Sequence, residues 1–208
     1  MNVNTADFWN AVHGTELSCA DWRRYPKTFG LITAMVGKDK TVVELGCGMG
    51  ILAKKLIENK NRYIGIDISI IPKETIEGMG GKFLQADLMD LNIITKDFAD
   101  YVVATEFLEH FEDVDYIVKE SKKFIKKDGA VIFSVPNDCL GHDELEEHYQ
   151  QFTAKSLHTL LSKYYKTVNV VDYKEYYEGW VHKEDEKTFR NMISLPVLLV
   201  IATDRDVL

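Results

Sequence analysis

Residues 41–50 read TVVELGCGMG, a β-branched apolar run that ends in three closely spaced glycines. The run Thr41 to Leu45 is typical of a buried parallel strand. Glycines at positions 46, 48 and 50 permit positive φ and leave no Cβ in the way of a ligand. Their spacing is GxGxG, with isoleucine at position 51 where the dinucleotide fingerprint GxGxxG has glycine. This segment predicts a strand, a tight ligand-binding turn and a helix.

Short apolar runs alternate with amphipathic stretches along the rest of the chain. The further predicted strands are 62–68, 82–87, 101–105, 130–135, 167–172 and 197–203. Helices are predicted at 51–59, 114–125 and 154–164, with one or two more in 1–35. This alternation is typical of α/β proteins. We predict a Rossmann-like three-layer sandwich with a mostly parallel seven-stranded sheet and an antiparallel edge strand, because no long helix separates the last two strands.

Acidic residues end two of the predicted strands, and a third precedes the turn. Asp67 can accept hydrogen bonds from both hydroxyls of a ribose. Asp87 can accept from the exocyclic amine of adenine, with Leu88 and Phe107 against the two ring faces, or it can simply cap the next turn. A carboxylate at Glu44 is poorly placed beside a pyrophosphate. The pattern therefore favours a nucleoside ligand that lacks phosphate.

Five segments, taken in order, resemble the motifs of class I S-adenosylmethionine (SAM)-dependent methyltransferases: VVELGCGMG, YIGIDIS, FLQADLMDL, FADYVVATEFLEHFED and KKDGAVIFSVPN. Within that family they are similar to the motifs of small-molecule methyltransferases, namely those of the type 11 group and of ubiquinone-biosynthesis enzymes. The resemblance implies a methyltransferase that uses SAM and releases S-adenosylhomocysteine (SAH). SAM carries a positive sulfonium and an amino-acid head instead of phosphate.

In that family the glycine turn and the acids after strands two and three hold the cofactor. The resemblance carries cofactor binding to Glu44, Gly46, Cys47, Gly48, Gly50, Asp67, Ile68, Asp87, Leu88, Thr105 and Phe107. The alternative is that these glycines and acids are ordinary turn and cap residues.

Methyl transfer from a sulfonium is an in-line displacement, so the enzyme mainly aligns acceptor, methyl and sulfur. A base is needed only where the acceptor must lose a proton. Glu106, Glu109 and His110 flank the end of the fourth strand, where related enzymes carry E-x-L-E-H. His148 resembles an acceptor-facing histidine of small-molecule methyltransferases, with Gln150 in place of the usual arginine. We predict catalytic roles for His110, His148 and Glu106. The alternatives are that Glu109 and His110 only shape the loop and that His148 lies near a helix and bonds to the backbone.

The preferred function is methyl transfer to a small-molecule oxygen or nitrogen nucleophile, without a metal. Two alternatives stay open. Glu106, Glu109, His110 and His148 are similar to the metal-ligand set of small-RNA 3′-terminal 2′-O-methyltransferases, which implies a metal-dependent RNA enzyme. The other alternative is a catalytically silent SAM-binding scaffold protein that docks partners through residues 173–191.

Length and composition bound these functions. The 208 residues predict one domain, 1–208, with an N-terminal helical lid at 1–38 and an insertion at 173–191. The formal net charge of −8 disfavours nucleic-acid and membrane partners. The three cysteines, Cys19, Cys47 and Cys139, suggest neither a zinc site nor a disulfide. With no signal-peptide pattern at the start, we expect a cytoplasmic monomer or homodimer.

Aromatic and basic residues cluster in the two variable segments. Those of the expected lid are Phe8, Trp9, His13, Trp22, Arg23, Arg24 and Tyr25, and an arginine among them can pair with the SAM carboxylate. Those of the late segment are Tyr173, Tyr176, Tyr177, Trp180 and His182, which can line an acceptor pocket or form a dimer contact. Asn137 and His142 are further candidates near His148.

Overall fold

A computed structural model describes residues 4–14, 26–89, 97–137, 147–182 and 188–205, with the backbone alone described between 176 and 195. The helices are α1 Ala6–His13, α2 Pro26–Val36, α3 Ile51–Glu58, α4 Lys73–Gly78, α5 Val114–Lys122 and α6 Ala154–Leu161, with a 3₁₀ helix at Leu108–His110. The strands are β1 Thr41–Leu45, β2 Arg62–Asp67, β3 Lys82–Gln85, β4 Ala99–Thr105, β5 Ile125–Pro136, β6 Thr167–His182 and β7 Thr188–Thr203.

The seven strands form one sheet in the order β3-β2-β1-β4-β5-β7-β6. Strands β1 to β5 pair with one another in parallel, whereas β7 runs antiparallel to both β5 and β6. The predicted fold class is confirmed. The strand order reverses between β1 and β4, and a crevice at the carboxyl ends of the strands is the usual ligand site at such a reversal.

Alternating side chains of the strands feed two apolar cores, one on each face of the sheet. On one face Val43, Leu45 and Ile66 pack with residues of α5 and α6. On the other face Val42 and Val103 pack with α2, α3 and α4. The glycine turn therefore follows a strand that is packed on both faces by apolar cores. This packing fixes the position of the turn's backbone relative to the sheet.

Two strands extend beyond their predicted ends. The sequence predicts 167–172 and 197–203, but β6 and β7 pair in register from Thr167–Thr203 to His182–Thr188. Most of the predicted 173–191 insertion is thus extended hairpin backbone. The sequence did not predict these parts of the strands, because polar and aromatic residues there do not alternate with apolar ones.

Helix α5 ends at Lys122, earlier than predicted, and β5 begins at Ile125 rather than Ala130. Helix α4 was not predicted, since Ile76 is its only buried residue and gives no periodic apolar signal. Thr153 caps the start of α6, where its side chain accepts a hydrogen bond from the Ser156 amide. Among the described residues, none of the helices combines the length and the apolar character needed to cross a bilayer.

Candidate active site

The glycine turn after β1 has the left-handed backbone that its sequence predicts. Gly46, Gly48 and Gly50 have φ of 65°, 47° and 74°. A Cβ on Gly46 would lie 2.3 Å from Cδ2 of Phe107, and one on Gly50 would lie 2.9 Å from Cγ1 of Ile76. Both conformation and packing therefore require glycine at these two positions.

Asp67 fastens the end of β2 to this turn. Its Oδ2 accepts a hydrogen bond from the Gly48 amide at 2.9 Å, and its Oδ1 accepts from the Ser69 amide at 2.8 Å. The side chain is buried. Burial raises the pKa of Asp67, while the two amide donors and the nearby His13 act in the opposite direction. Because a carboxylate oxygen has two lone pairs, each oxygen can accept a further hydrogen bond.

Asp87 and Leu88 follow β3 on the same edge of the sheet. Leu88 is buried in the core, whereas Asp87 is exposed. Oδ1 of Asp87 accepts a hydrogen bond from the Met89 amide at 2.9 Å. One carboxylate oxygen of Asp87 therefore caps the turn. The other oxygen remains available to a ligand at this edge.

Glu44 does not supply the negative charge that the sequence suggested. The residue is 2% exposed, and the Tyr63 hydroxyl donates to its Oε2 at 2.5 Å. Burial raises the pKa of Glu44 to about 8, so the carboxyl is mostly protonated at neutral pH. The inference that a charged Glu44 repels a pyrophosphate is therefore wrong. Burial also raises the pKa of the neighbouring Cys47 thiol.

A cavity of about 820 Å³ opens at the carboxyl ends of the strands, beside the point where the strand order reverses. Its volume lies within the range of small-ligand sites. The predicted site residues that line it are Glu44, Gly46, Cys47, Gly48, Asp67, Ile68, Asp87, Leu88, Thr105, Glu106, Phe107, His110 and His148. Gly50 does not line the cavity, because it packs on Ile76 behind the turn.

Glu106 begins the loop after β4 in a strained conformation. Its φ of 47° is uncommon for a residue with a side chain. Its amide donates to the Ser134 carbonyl at 2.9 Å, and its Oε1 accepts from the Ser134 hydroxyl at 2.8 Å. These contacts to Ser134 of β5 hold Glu106 in place. Strained residues of this kind cluster at functional sites, and nothing in the sequence indicates the strain.

Glu109 and His110, on the 3₁₀ helix that follows Glu106, lie close to His148. One donor atom from each lies within 4.8 Å of the others. Glu109 is 1% exposed, and its Oε1 is 4.0 Å from Nε2 of His110. The rings of His110 and His148 meet edge to face, with centroids 4.8 Å apart. Glu106 is outside this group, since its carboxylate is held on Ser134. The four-residue set suggested by the sequence is therefore brought together only in part.

Helix α1 and Asn4, which precedes it, line part of the cavity. Asn10 Oδ1 accepts from the Ser69 hydroxyl at 2.8 Å and from the Ile70 amide at 3.1 Å. Asn4 Nδ2 donates to the His110 carbonyl at 2.9 Å. The Trp9 ring lies 5.0 Å from the His110 ring. Neither asparagine belongs to a local motif, because their partners lie 59 or more residues away in the sequence.

A buried carboxylate on β6 also escaped sequence analysis. Glu175 accepts hydrogen bonds from the amides of Lys27 and Thr28 at 3.0 and 2.8 Å, so it caps the start of α2 from another element. The Tyr173 hydroxyl meets the Thr28 hydroxyl at 2.5 Å. Tyr173 therefore packs against α2, and this contact connects β6 to the N-terminal helices.

Several sequence candidates lie outside the described residues. They are Trp22, Arg23, Arg24, Tyr25, Cys19, Cys139 and His142, together with the side chains of Tyr176, Tyr177, Trp180 and His182. Asn137 is buried and bridges Phe152.

The family model described as "Methyltransferase domain" matches residues 21–192. Among curated proteins, (S)-coclaurine N-methyltransferase from Papaver somniferum is 26% identical over 136 residues, which cover 61% of this chain and 37% of that protein. Ubiquinone biosynthesis O-methyltransferase from Neisseria meningitidis is 30% identical over 131 residues, which cover 57% of this chain and 55% of that protein. The chain thus spans about a third to a half of the lengths of these two relatives.

A solved structure with a similar fold is the N-methyltransferase NodS from Bradyrhizobium japonicum, in complex with SAH. Its TM-score is 0.66 at 17% identity, and the superposition covers 96% of this chain and 97% of that one. At this identity the likeness supports the fold alone.

Proposed function

We propose that this chain, which belongs to the methyltransferase domain family, binds SAM in the cavity beside its glycine turn and transfers the methyl group to a small-molecule oxygen or nitrogen nucleophile. The observation that carries the proposal is the direct contact of Asp67 with the Gly48 amide at the mouth of β1 and β2. The Asp67 carboxylate, which can accept further hydrogen bonds, lies against the glycine turn. This arrangement suits the two hydroxyls of a ribose.

The same contact favours SAM over a dinucleotide. In dinucleotide sites the amides of the glycine turn and the following helix point at a pyrophosphate. Here the Gly48 amide already donates to Asp67, and the carboxylate beside it would repel a phosphate. This argument replaces the one from Glu44, which is neutral. In the proposed orientation Asp67 accepts from the ribose, while Ile68, Asp87 and Leu88 surround the adenine.

In this proposal the acceptor binds in the part of the cavity that Thr105, Glu106, His110 and His148 line. A bound SAM supplies an electrophilic methyl on a sulfonium. The chain has to hold the acceptor in line with the carbon–sulfur bond and exclude competing water. Glu106, His110 and His148 are proposed to position the acceptor or to take its proton. A cavity of about 820 Å³, lined in part by residues of α1, supports a small acceptor.

Isothermal titration with SAM, SAH and NAD⁺ tests the cofactor assignment. We expect SAM and SAH to bind with one site per chain and NAD⁺ to give no heat of binding. Methyl-labelled SAM is then incubated with a panel of hydroxylated arenes and amines, and label in a small product is expected. Binding of NAD⁺ without SAM, or transfer of label to RNA and to none of the small molecules, would contradict the proposal.

A further inference from the structure

We propose that the methyl acceptor is a small amine, which Glu106 selects by the positive charge on its nitrogen. The inference rests on the proposed function and narrows it from oxygen or nitrogen to nitrogen. Its basis is the charge of the cavity wall. Besides Glu44, Asp67 and Asp87, the carboxyl side chains that line the cavity are Glu106, Glu109, Glu112, Asp113 and Glu147. Of the residues that the structure describes, no lysine or arginine lines it.

These carboxyl groups differ in their surroundings, and therefore in what each can do for a cation. Glu109 lies beside His110, with its Oε1 4.0 Å from Nε2 of the ring, so a protonated His110 can balance its charge. Glu112 and Asp113 are exposed, and as exposed residues that line the cavity they lie at its rim. Carboxylates at a rim raise the local concentration of cations. Glu106 is partly buried and can contact a cation that has entered.

The Glu106 carboxylate is held in one orientation at the end of β4. Its Oε1 accepts from the Ser134 hydroxyl at 2.8 Å, and its amide donates to the Ser134 carbonyl at 2.9 Å. A carboxylate has about four acceptor positions, so it can bind Ser134 and also accept from an amine, and an ammonium group offers three donors. A hydrogen bond between two charged groups is about twice as strong as one between neutral groups. Glu106 is therefore suited to recognise a cationic nitrogen.

Aromatic rings line the same cavity and give a second reason to expect an organic cation. They are the rings of Trp9, Phe29, Phe107, Phe111 and Tyr149. Those of Phe107 and Phe111 meet edge to face, with centroids 4.6 Å apart. The face of an aromatic ring attracts an ammonium group, and its carbon surface packs against apolar substituents. Rings and carboxylates around one cavity therefore suit an amine that carries an apolar group.

Transfer to nitrogen moves a positive charge through the cavity without cancelling it. The ammonium first loses one proton to solvent, and the nitrogen keeps the electron pair. This pair forms a bond to the methyl carbon while the carbon–sulfur bond breaks, and the sulfur retains the bonding pair as the neutral thioether of SAH. The charge has then passed from sulfur to nitrogen, where Glu106 stabilises it as it develops. A phenolate or carboxylate acceptor would instead be repelled by the acidic wall.

Matched probes titrated into the full chain saturated with SAH test this selectivity by calorimetry. The probes are 2-phenylethylamine, 2-phenylethanol and phenylacetate, which differ in one polar group and its charge. We expect the amine to bind about tenfold more tightly than the alcohol, and phenylacetate not to bind. Glu106→Gln should remove most of this preference, since the amide keeps the contact with Ser134 but loses the charge. Glu77→Gln is the matched control, because it removes the same charge from an exposed position on α4 outside the cavity.

Thermal unfolding and SAH affinity of each variant show that the fold and the cofactor site remain intact. An amine that binds no more tightly than its matched alcohol, or a Glu106→Gln variant with the wild-type preference, would overturn the inference. Transfer of label from methyl-labelled SAM to hydroxyl acceptors and to none of the amines would overturn it as well, and would leave the proposed function standing. A chain that binds the amine through Glu106 but binds neither SAM nor SAH would keep the cation site and reject the proposed function.

Discussion

The Asp67 carboxylate and the Gly48 amide are joined by a hydrogen bond of 2.9 Å that connects the end of β2 to the turn after β1. The second carboxylate oxygen accepts from Ser69 at the start of the next loop. One side chain thus sets the spacing of two loops that face the cavity. It also occupies the turn amide that a phosphate ligand would use, so the same contact bears on both fold and ligand choice.

Replacing Asp67 by asparagine should weaken SAH binding by about tenfold to a hundredfold. The amide group has one accepting oxygen, so either Gly48 or Ser69 would face an NH₂ donor, and a charged hydrogen bond contributes about 1.5–3 kcal/mol. Calorimetric titration with SAH measures the loss. Asp115→Asn is the control, because Asp115 pairs with Lys163 away from the cavity. Unchanged SAH affinity in Asp67→Asn would remove Asp67 from the site.

Gly46→Ala should destabilise the chain by about 2–4 kcal/mol, because alanine is strained at φ of 65° and its Cβ would overlap the Phe107 ring. Gly30→Ala is the matched substitution in the exposed interior of α2, where a Cβ meets nothing within 4 Å. It should stabilise by about 0.5–1 kcal/mol. Urea unfolding measures both. Equal effects of the two substitutions would show that the turn is not packed on Phe107.

Glu44→Gln should remove a pH-dependent contribution to stability. The folded pKa of Glu44 is raised from 4.5 to about 8, so between these values the folded chain holds a proton that the unfolded chain has released. The contribution is fully present below pH 4.5 and is lost as the pH rises towards 8. Relative to Glu44→Gln, the wild-type free energy of unfolding should fall by about 1.4 kcal/mol per pH unit in this range.

Urea unfolding from pH 5 to 8 gives this difference directly. Glu77→Gln, which removes an exposed carboxyl from α4, controls for the simple loss of one acidic group. If the difference between wild type and Glu44→Gln stayed constant over the range, Glu44 would be ionised in the folded chain.

Asn10→Ala should speed the release of SAH about threefold to tenfold. Its side chain accepts two hydrogen bonds from the loop after β2, each contributing about 1 kcal/mol, and these hold α1 beside the cavity. Stopped-flow displacement measures the dissociation rate, with Asn169→Ala on the exposed side of β6 as control. A dissociation rate equal to that of wild type would mean that α1 does not restrict the cofactor.

Local patterns in the sequence predicted the elements that build the cofactor end of the cavity. The glycine turn, the strand before it and Asp67 lie within one β-α-β unit, and parallel strands bring their carboxyl ends to one edge. The raised pKa of Glu44 was not predictable, because it comes from burial of the carboxyl in the folded core, while the hydrogen bond from Tyr63 acts in the opposite direction.

Long-range contacts account for the rest of what the sequence did not show. Asn4 and Glu175 act on partners more than 100 residues away, and neither belongs to a motif. Glu106 and Glu109 are three residues apart in sequence, yet the strained φ at Glu106 directs one carboxylate to Ser134 and leaves the other beside the histidines. Spacing alone could not separate them.

A crystal structure of the full chain with SAH is the most direct test of the cofactor site. We expect the ribose hydroxyls within hydrogen-bond distance of the Asp67 carboxylate, the adenine beside Asp87 and Leu88, and the sulfur facing Glu106 and His148. Density for SAH elsewhere on the molecule, or a ribose that makes no contact with Asp67, would contradict it.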